Sequence, residues 1–243
     1  PIIIAGPTAS GKSDFALKMA MQNHGEIVNA DSIQLYQNSQ ILSARPSTQD
    51  EALVPHHLYG ILPATQNFSV VDWVKIASTK IAEIISRGKT PIIVGGTGFY
   101  IEVLINGIAS IPDVTDNIKQ QVNDLYRNKG LDFVFDLLSS FDKNHKILPT
   151  DTQRILRAYG VCLQTEQPFS SFLQKPKHKF TELSFHKIFI NPPRYLLYER
   201  INHRFEKMLA VGALEEVAAI MKIDNISPSF SKLLGLAELN NYL

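Results

Sequence analysis

Apolar and polar positions along the first hundred residues alternate between two periods. Ile2–Ala5 is a short apolar run with the length of a buried strand. From Ser13 to Asn23 the period lengthens, with Phe15, Ala16, Met19 and Ala20 on one face, and predicts a helix. A second short strand follows at Glu26–Asn29 and runs out at Asp31. Ser69-x-x-Asp72 has the form of a capping box, and Trp73, Ile76, Ala77, Ile81, Ile84 and Ile85 then recur at helical spacing up to Gly88. The stretch PIIVGGTGFY, residues 91–100, reads as strand, glycine turn and helix, with Phe99 and Tyr100 expected in the core. Strand, loop and helix in repetition predict a parallel sheet with right-handed crossovers.

The texture changes at Ile111-Pro112-Asp113. From there to about residue 183 only helical patterns occur. Ile118, Val122 and Leu125 share a face closed by Gly130, Phe133, Leu137 and Leu138 mark a second helix, and Asp151 caps a third containing Ile155, Leu156 and Tyr159. SFHKIFINPP, residues 184–193, predicts a strand returning to the sheet, and a helix is expected over Tyr195–Ala210. The expected fold class is therefore α/β: a phosphate-loop NTPase-like parallel sheet with helices on both faces, interrupted by an all-helical insertion domain. The expected divisions are 1–110, 111–183 and 184–243.

Composition narrows the picture. With 243 residues and 44% hydrophobic content the chain can bury a large core. No apolar run approaches the length of a membrane span, so no membrane partner is expected. The opening apolar run lacks a preceding positive region and leads straight into a loop motif, so it reads as a strand and not a leader. A single cysteine, Cys162, sits in an apolar helical pattern and suits a buried thiol in a reducing compartment, which points to the cytoplasm. The net charge of +1 gives no bulk argument for nucleic acid; only local clusters could. Lys175, Lys177 and Lys179 form such a run but read as a solvated loop. His56 and His57 are adjacent, point apart in regular structure, and have no ligand partner at metal spacing.

The sharpest chemical signal is Gly6-Pro-Thr-Ala-Ser-Gly11-Lys12-Ser13, which fits G-x-x-x-x-G-K-[ST] between a strand and a helix. Successive backbone N–H groups and a helix N-terminus would face one anion. The expected anion-binding residues are Gly6, Thr8, Ala9, Ser10, Gly11, Lys12 and Ser13. Lys12 brings charge to the terminal phosphates, and Ser13 is the candidate ligand for Mg²⁺ bridging phosphate oxygens. Nucleotide-hydrolysing relatives of this loop carry a strand-end acid for the metal. Here the strand at 91–94 ends in glycines, leaving Asp31 as the nearby acid. Asp31 is then either the metal's anchor, as in a small-molecule or nucleotide kinase, or the base for an incoming nucleophile, as in a transferase.

The motifs GPTASGKS (6–13), DSIQLY (31–36), SARPS (43–47), VPHHLYG (54–60), FSVVDW (68–73) and GGTGFYI (95–101) occur in the order found in tRNA dimethylallyltransferases. DTQRILRAYGV (151–161) and PRYLLYERINHRFEKMLAVGALEEV (193–217) resemble later blocks of that family, so the resemblance spans nearly the whole chain. It implies transfer of a prenyl group from dimethylallyl diphosphate to the exocyclic amine of the adenosine 3′-adjacent to the anticodon, with release of diphosphate and dependence on Mg²⁺. It also implies a channel through the core that admits adenine and prenyl donor from opposite ends, and a helical insert that grips the tRNA anticodon stem-loop. Asp31 would be the general base, Lys12 would neutralise the leaving charge, and Arg45, at the place of a family basic residue, would assist. Asp31, Ser32, Ile33 and Gln34 match a tRNA-contacting block. Thr97, Lys119 and the run Gln153, Arg154, Ile155, Leu156 and Arg157 match further contact positions. Without the resemblance, Arg154 and Arg157 read as a solvated helix face. The working state is expected to be a monomer. Three departures from the family pattern stand out: Leu42-Ser43 replaces a glycine-threonine pair, Leu236 replaces an aromatic, and the sequence ends before an Arg- and aromatic-rich block.

Overall fold

A computed structural model describes all of residues 1–243, which form two compact units: Pro1–Ile105 with Phe180–Leu243, and Asn106–Lys179. The first unit is built on five parallel strands in the order β3-β2-β4-β1-β5: β1 (Ile2–Ala5), β2 (Gly25–Asn29), β3 (His56–His57), β4 (Thr90–Gly95) and β5 (His186–Phe189). Between them run α1 (Lys12–Gln22), α2 (Thr48–Leu53), α3 (Val70–Ser86) and α4 (Gly98–Asn106); α9 (Arg194–Ala210), α10 (Ala213–Ile220) and α11 (Leu236–Tyr242) follow β5.

The three central strands are buried on both faces, which is why β1 and β4 read as apolar runs, while β2 buries the polar Glu26 and Asn29 beside Ile27 and Val28. Ile4, Ile27, Ile92 and Val94 pack with Ala16 and Ala20 of α1. The alternate positions Ile3, Val28 and Ile93 are equally buried and point to the other face. There α3 packs on β2 and β4 through Trp73, Val74, Ala77, Ile81 and Ile84, all without exposure. The chain moves outward from β1 to β3 and back from β3 to β4, so right-handed crossovers put α1 and α3 on opposite faces.

The capping box at Ser69 forms as expected: its hydroxyl accepts from Asp72 N while the Asp72 carboxylate accepts from Ser69 N. A second box, at Ser47 and Asp50, starts α2, which the hydrophobic pattern does not reveal because α2 buries nothing. Trp73 fixes α3 against the sheet by donating Nε1 to Asn29 O at 2.9 Å and stacking on Tyr100 with centroids 4.5 Å apart. Two aromatic expectations fail. Phe15 is 39% and Phe99 59% exposed, because each lies on the outward side of a first helical turn whose inward positions are taken by Ala16 and Tyr100.

The second unit holds α5 (Asp116–Lys129), α6 (Leu131–Phe141), α7 (Thr152–Thr165) and α8 (Phe169–Leu173). Its core gathers Val134 and Leu138 of α6 with Ile155, Ala158 and Cys162 of α7. Burial raises the Cys162 thiol above its ordinary range, as suits an inert core residue. Asp142, 1% exposed, accepts from Ser170 N and Oγ, both at 2.7 Å, and from Asn144 N at 3.1 Å.

Candidate active site

At the C-terminal ends of β1, β2 and β4 the first unit opens into a cleft of about 1380 Å³. Ligands of parallel α/β sheets bind at this end of the strands. The phosphate loop forms its floor. Ala9 (φ 58°) and Gly11 (φ 88°) both take left-handed conformations, which turn the backbone into the start of α1. Ser10 is 4% exposed and its hydroxyl has no partner in the protein. Lys12 Nζ donates to Pro7 O at 3.2 Å. Burial pulls the Lys12 ammonium below the ordinary lysine range; the Asp31 carboxylate opposes that shift and the Arg204 charge adds to it.

Two arginines of α9 complete this floor, and the sequence pattern assigns neither a role. Arg204 Nη2 donates to Thr8 Oγ1 at 2.6 Å, and a methyl placed on Gly11 would lie 3.8 Å from Arg200 Nη1. Burial depresses the Arg204 guanidinium, against the pull of Asp31. Their i,i+4 spacing is the one signal in the sequence, but among the other charged positions of an amphipathic helix it is indistinguishable from a solvated face.

Asp31 enters from the opposite wall. Ala30 N donates to Val94 O at 2.7 Å, and the backbones touch so closely that a methyl on Gly95 would fall 2.1 Å from the Ala30 carbonyl; only glycine fits. Asn29 then fixes the turn: its side-chain oxygen accepts from Asp31 N at 2.8 Å, and its amide donates to Asp31 O and Leu58 O. Asp31 Oδ1 accepts from Ile33 N at 3.1 Å. A methyl on Gly96 would lie 3.6 Å from Asp31 Oδ2 and 4.0 Å from Lys12 Nζ, so an acid and a cation converge on one point over Gly96. Gly95 at the end of β4 and Gly96 after it thus leave room for that meeting.

The rest of the expected first-unit residues line the same cleft. Thr97 Oγ1 accepts from Ser32 N at 2.9 Å, and Gln34 Nε2 donates to Ser43 O and Ala44 O at 2.8 and 3.0 Å. Arg45 lies over Gly60, where a methyl would meet the guanidinium at 2.3 Å, and donates Nη1 to Tyr36 O at 3.3 Å. Its Nε is buried and without a partner, and burial lowers its pKa. Tyr59 also lines the cleft; burial, then the charges of Asp31 and Glu51, hold its phenol well above the ordinary range, so it remains a neutral hydroxyl. His57 Nε2 is 2.7 Å from the Glu26 carboxylate, which also accepts from Arg87 Nη2 at 2.6 Å.

Ser13 lines the cleft one residue into α1. No cluster of three or more His, Cys, Asp or Glu side chains could form an all-protein metal cage. A site with one or two protein oxygens suits Mg²⁺, which keeps waters and takes its remaining ligands from phosphates.

The remaining expected contact residues belong to the helical unit. Lys119 pairs with Asp116 at 2.8 Å, Arg154 with Asp151 at 3.3 Å, and Arg157 with Asp113 at 3.5 Å while also donating to Pro112 O. Gln153 and Arg154 are exposed and Leu156 is partly buried. Ile155 has no exposure and packs in the helical core, so its side chain is turned away from solvent and offers RNA no surface.

A parallel sheet carrying a phosphate loop, a convergent acid and an insertion between β4 and β5 defines a phosphate-loop α/β protein with an all-helical insert. The model of the IPP transferase family matches residues 34–243, and that of isopentenyl transferase matches residues 2–55. The chain belongs to the IPP transferase family. It is 40% identical over 245 residues to a tRNA dimethylallyltransferase of Rickettsia bellii and 43% identical over 246 residues to that of Parvibaculum lavamentivorans, covering all of this chain and 78% of each relative. Among solved structures it resembles the full-length tRNA isopentenylpyrophosphate transferase of Bacillus halodurans (27% identity, TM-score 0.67, 99% of this chain and 76% of that one). It also resembles a eukaryotic dimethylallyltransferase acting on tRNA (26% identity, TM-score 0.76, 91% of this chain and 55% of that one).

Proposed function

We propose that this chain transfers a dimethylallyl group from dimethylallyl diphosphate to the exocyclic amine of the adenosine 3′-adjacent to the anticodon in tRNA. Prenyl transfer to tRNA is the activity named for its relatives, and they do not favour the kinase alternative. The observation that carries the reading is the convergence of Asp31 Oδ2 and Lys12 Nζ over Gly96. In this reading the adenine amine attacks the allylic carbon. The new C–N bond forms as the C–O bond breaks, and the electron pair leaves with the diphosphate. Asp31 Oδ2 takes the amine proton. Lys12, Arg204, Arg200, Arg45 and the loop from Gly6 through Thr8, Ala9, Ser10 and Gly11 to Ser13 hold the departing anion, stabilising charge where it develops. Ser13 would hold Mg²⁺, which would neutralise charge on the diphosphate. A single-stranded anticodon loop suits the cleft because its unstacked adenine can be splayed out.

The recognition of RNA by Ser32, Ile33, Gln34 and Thr97 in the cleft, and by Lys119, Gln153, Arg154, Leu156 and Arg157 in residues 111–183, belongs to the same proposal, as does a cytoplasmic monomer. No helix is long and apolar enough to cross a membrane. The test is mass spectrometry of tRNA nucleosides after incubation with dimethylallyl diphosphate and Mg²⁺. A prenylated adenosine with stoichiometric diphosphate is expected; ADP and a phosphorylated product from ATP would overturn the reading.

A further inference from the structure

The wall of the cleft that carries Arg45 is a loop, residues 39–46, held from two sides. On one side Glu216 of α10 accepts three successive backbone N–H groups: Gln40 and Ile41 at 2.8 Å on Oε2, and Leu42 at 2.9 Å on Oε1. On the other side Gln34 donates to Ser43 O and Ala44 O. Within the loop Arg45 N donates to Gln40 O at 3.1 Å, and Ser43 Oγ donates to Ser39 O. Ala44 is left-handed at φ 52°, a conformation a non-glycine residue keeps only where its surroundings overdetermine it. The carboxylate is an acceptor only, so three converging donors match it as they could not match a neutral amide.

From this geometry we infer that Glu216 is a positioning residue for the transfer reaction. It fixes the amides of residues 40–42, these fix the Ser43 and Ala44 carbonyls, and the carbonyls hold Gln34 in the segment that begins with Asp31. Glu216 bonds to this loop and not to the phosphate loop, so its influence reaches the Asp31 side of the cleft through Gln34 and the diphosphate only through Arg45. The inference rests on the proposed transfer for its kinetic consequence, but the clamp itself is observable without it.

The test compares the parent chain with Glu216→Gln, Glu216→Ala and the control Glu215→Gln, whose carboxylate makes no bond to the loop. Amide hydrogen exchange of residues 40–42 is expected to quicken by on the order of tenfold in Glu216→Gln, more in Glu216→Ala, and not at all in the control. In transfer assays on the anticodon stem-loop, kcat per active site is expected to fall about 10- to 100-fold in Glu216→Ala, with partial rescue in Glu216→Gln. The KM for dimethylallyl diphosphate should rise by less than kcat falls, because the phosphate loop, Lys12 and Arg204 are untouched and only Arg45 rides on the clamped loop. A purely structural role would instead lower the folded fraction and leave kcat per active site at the parent value; that result overturns the inference, as does unchanged exchange at residues 40–42. If the parent chain prenylates nothing, it is the proposed function that fails, and exchange alone then decides the clamp.

Discussion

The phosphate-loop cleft of the first unit and the surface of the helical unit treat positive charge in opposite ways. Around the phosphate loop, Lys12 and Arg204 bond only to neutral oxygens, Pro7 O and Thr8 Oγ1, and neither they nor Arg200 has a carboxylate within ion-pair distance. In the helical unit, Lys119, Arg154 and Arg157 each sit on an acid, at 2.8, 3.3 and 3.5 Å. Lys12 and Arg204 are partly buried and share only the longer-range attraction of Asp31, a gathering of positive charge that is unfavourable unless an anion completes it. Exposed ion pairs, whether one turn apart like those of Lys119 and Arg154 or between elements like that of Arg157, are nearly neutral in stability and are common on any soluble surface. The cleft thus declares a ligand by its electrostatics. The helical face declares nothing by itself, and its proposed role in gripping RNA comes from the family pattern.

The largest expected effect breaks the acid side of that cleft. Asp31→Ala should lower kcat roughly 10²–10⁴-fold, the usual worth of a positioned general base. Donor binding should change little, because Asp31 lies across Gly96 from the loop. Rapid-quench measurement of the chemical step beside equilibrium binding of dimethylallyl diphosphate checks both halves. Loss of Mg²⁺-dependent donor binding, with tRNA affinity intact, would make Asp31 a metal ligand instead.

On the cation side, Lys12→Ala or Arg204→Ala should weaken donor binding and slow transfer by about 10²–10³-fold, the scale of removing one hydrogen-bond donor to developing charge. Free tRNA affinity should hold. An equal loss of donor and tRNA binding would mean that the loop takes an RNA phosphate.

How much of this was legible follows the same divide. Strands β1, β2 and β4 and helix α3 were readable because each buries a continuous run or a face at a fixed period. The phosphate loop was readable because its backbone demands particular residues at particular places. Helix α2 and the pair His56–His57 as strand β3 were not, since neither buries an apolar face that leaves a period. Arg200 and Arg204 were missed for a different reason. What makes them a site is the packing of α9 against the loop after β1, an encounter almost two hundred residues apart in sequence, and no local pattern carries it. Ile155 shows the converse: a motif match cannot distinguish a residue that touches a ligand from one that holds up its neighbours.

A third expectation concerns stability beneath the sheet. Glu26 is 6% exposed. Burial alone would raise its carboxyl, but hydrogen bonds from His57 and Arg87 and the charge of Arg87 outweigh it and hold the pKa below the ordinary value. A depressed folded-state value stabilises the fold above the unfolded pKa, about 4.3 for Glu, and that contribution disappears as pH falls from there through the folded value. Glu26→Gln should therefore cost about 1–3 kcal/mol at pH 7. Its denaturant midpoint should approach the parent's as the pH is taken below about 4.3. A gap that stays constant with pH would assign the loss to packing and not to charge.

The smallest expected effect sharpens the helical side. Arg154 and Arg157 are three residues apart on α7, each tethered to its own acid, so the double change to Gln should leave the fold and its melting temperature nearly unchanged. If both reach tRNA phosphates, removing either one should reduce the slope of log affinity against log salt by somewhat under one unit. The doubly changed variant should then bind an anticodon stem-loop more weakly at low salt and converge with the parent as salt rises. Donor binding should be untouched, since the cations that serve it lie in the other unit. Coincident salt titrations for variant and parent would leave these arginines as a solvated face. Recognition of tRNA would then fall to Ser32, Ile33, Gln34 and Thr97 in the cleft, where Gln34 is already held in place by the loop that Glu216 clamps.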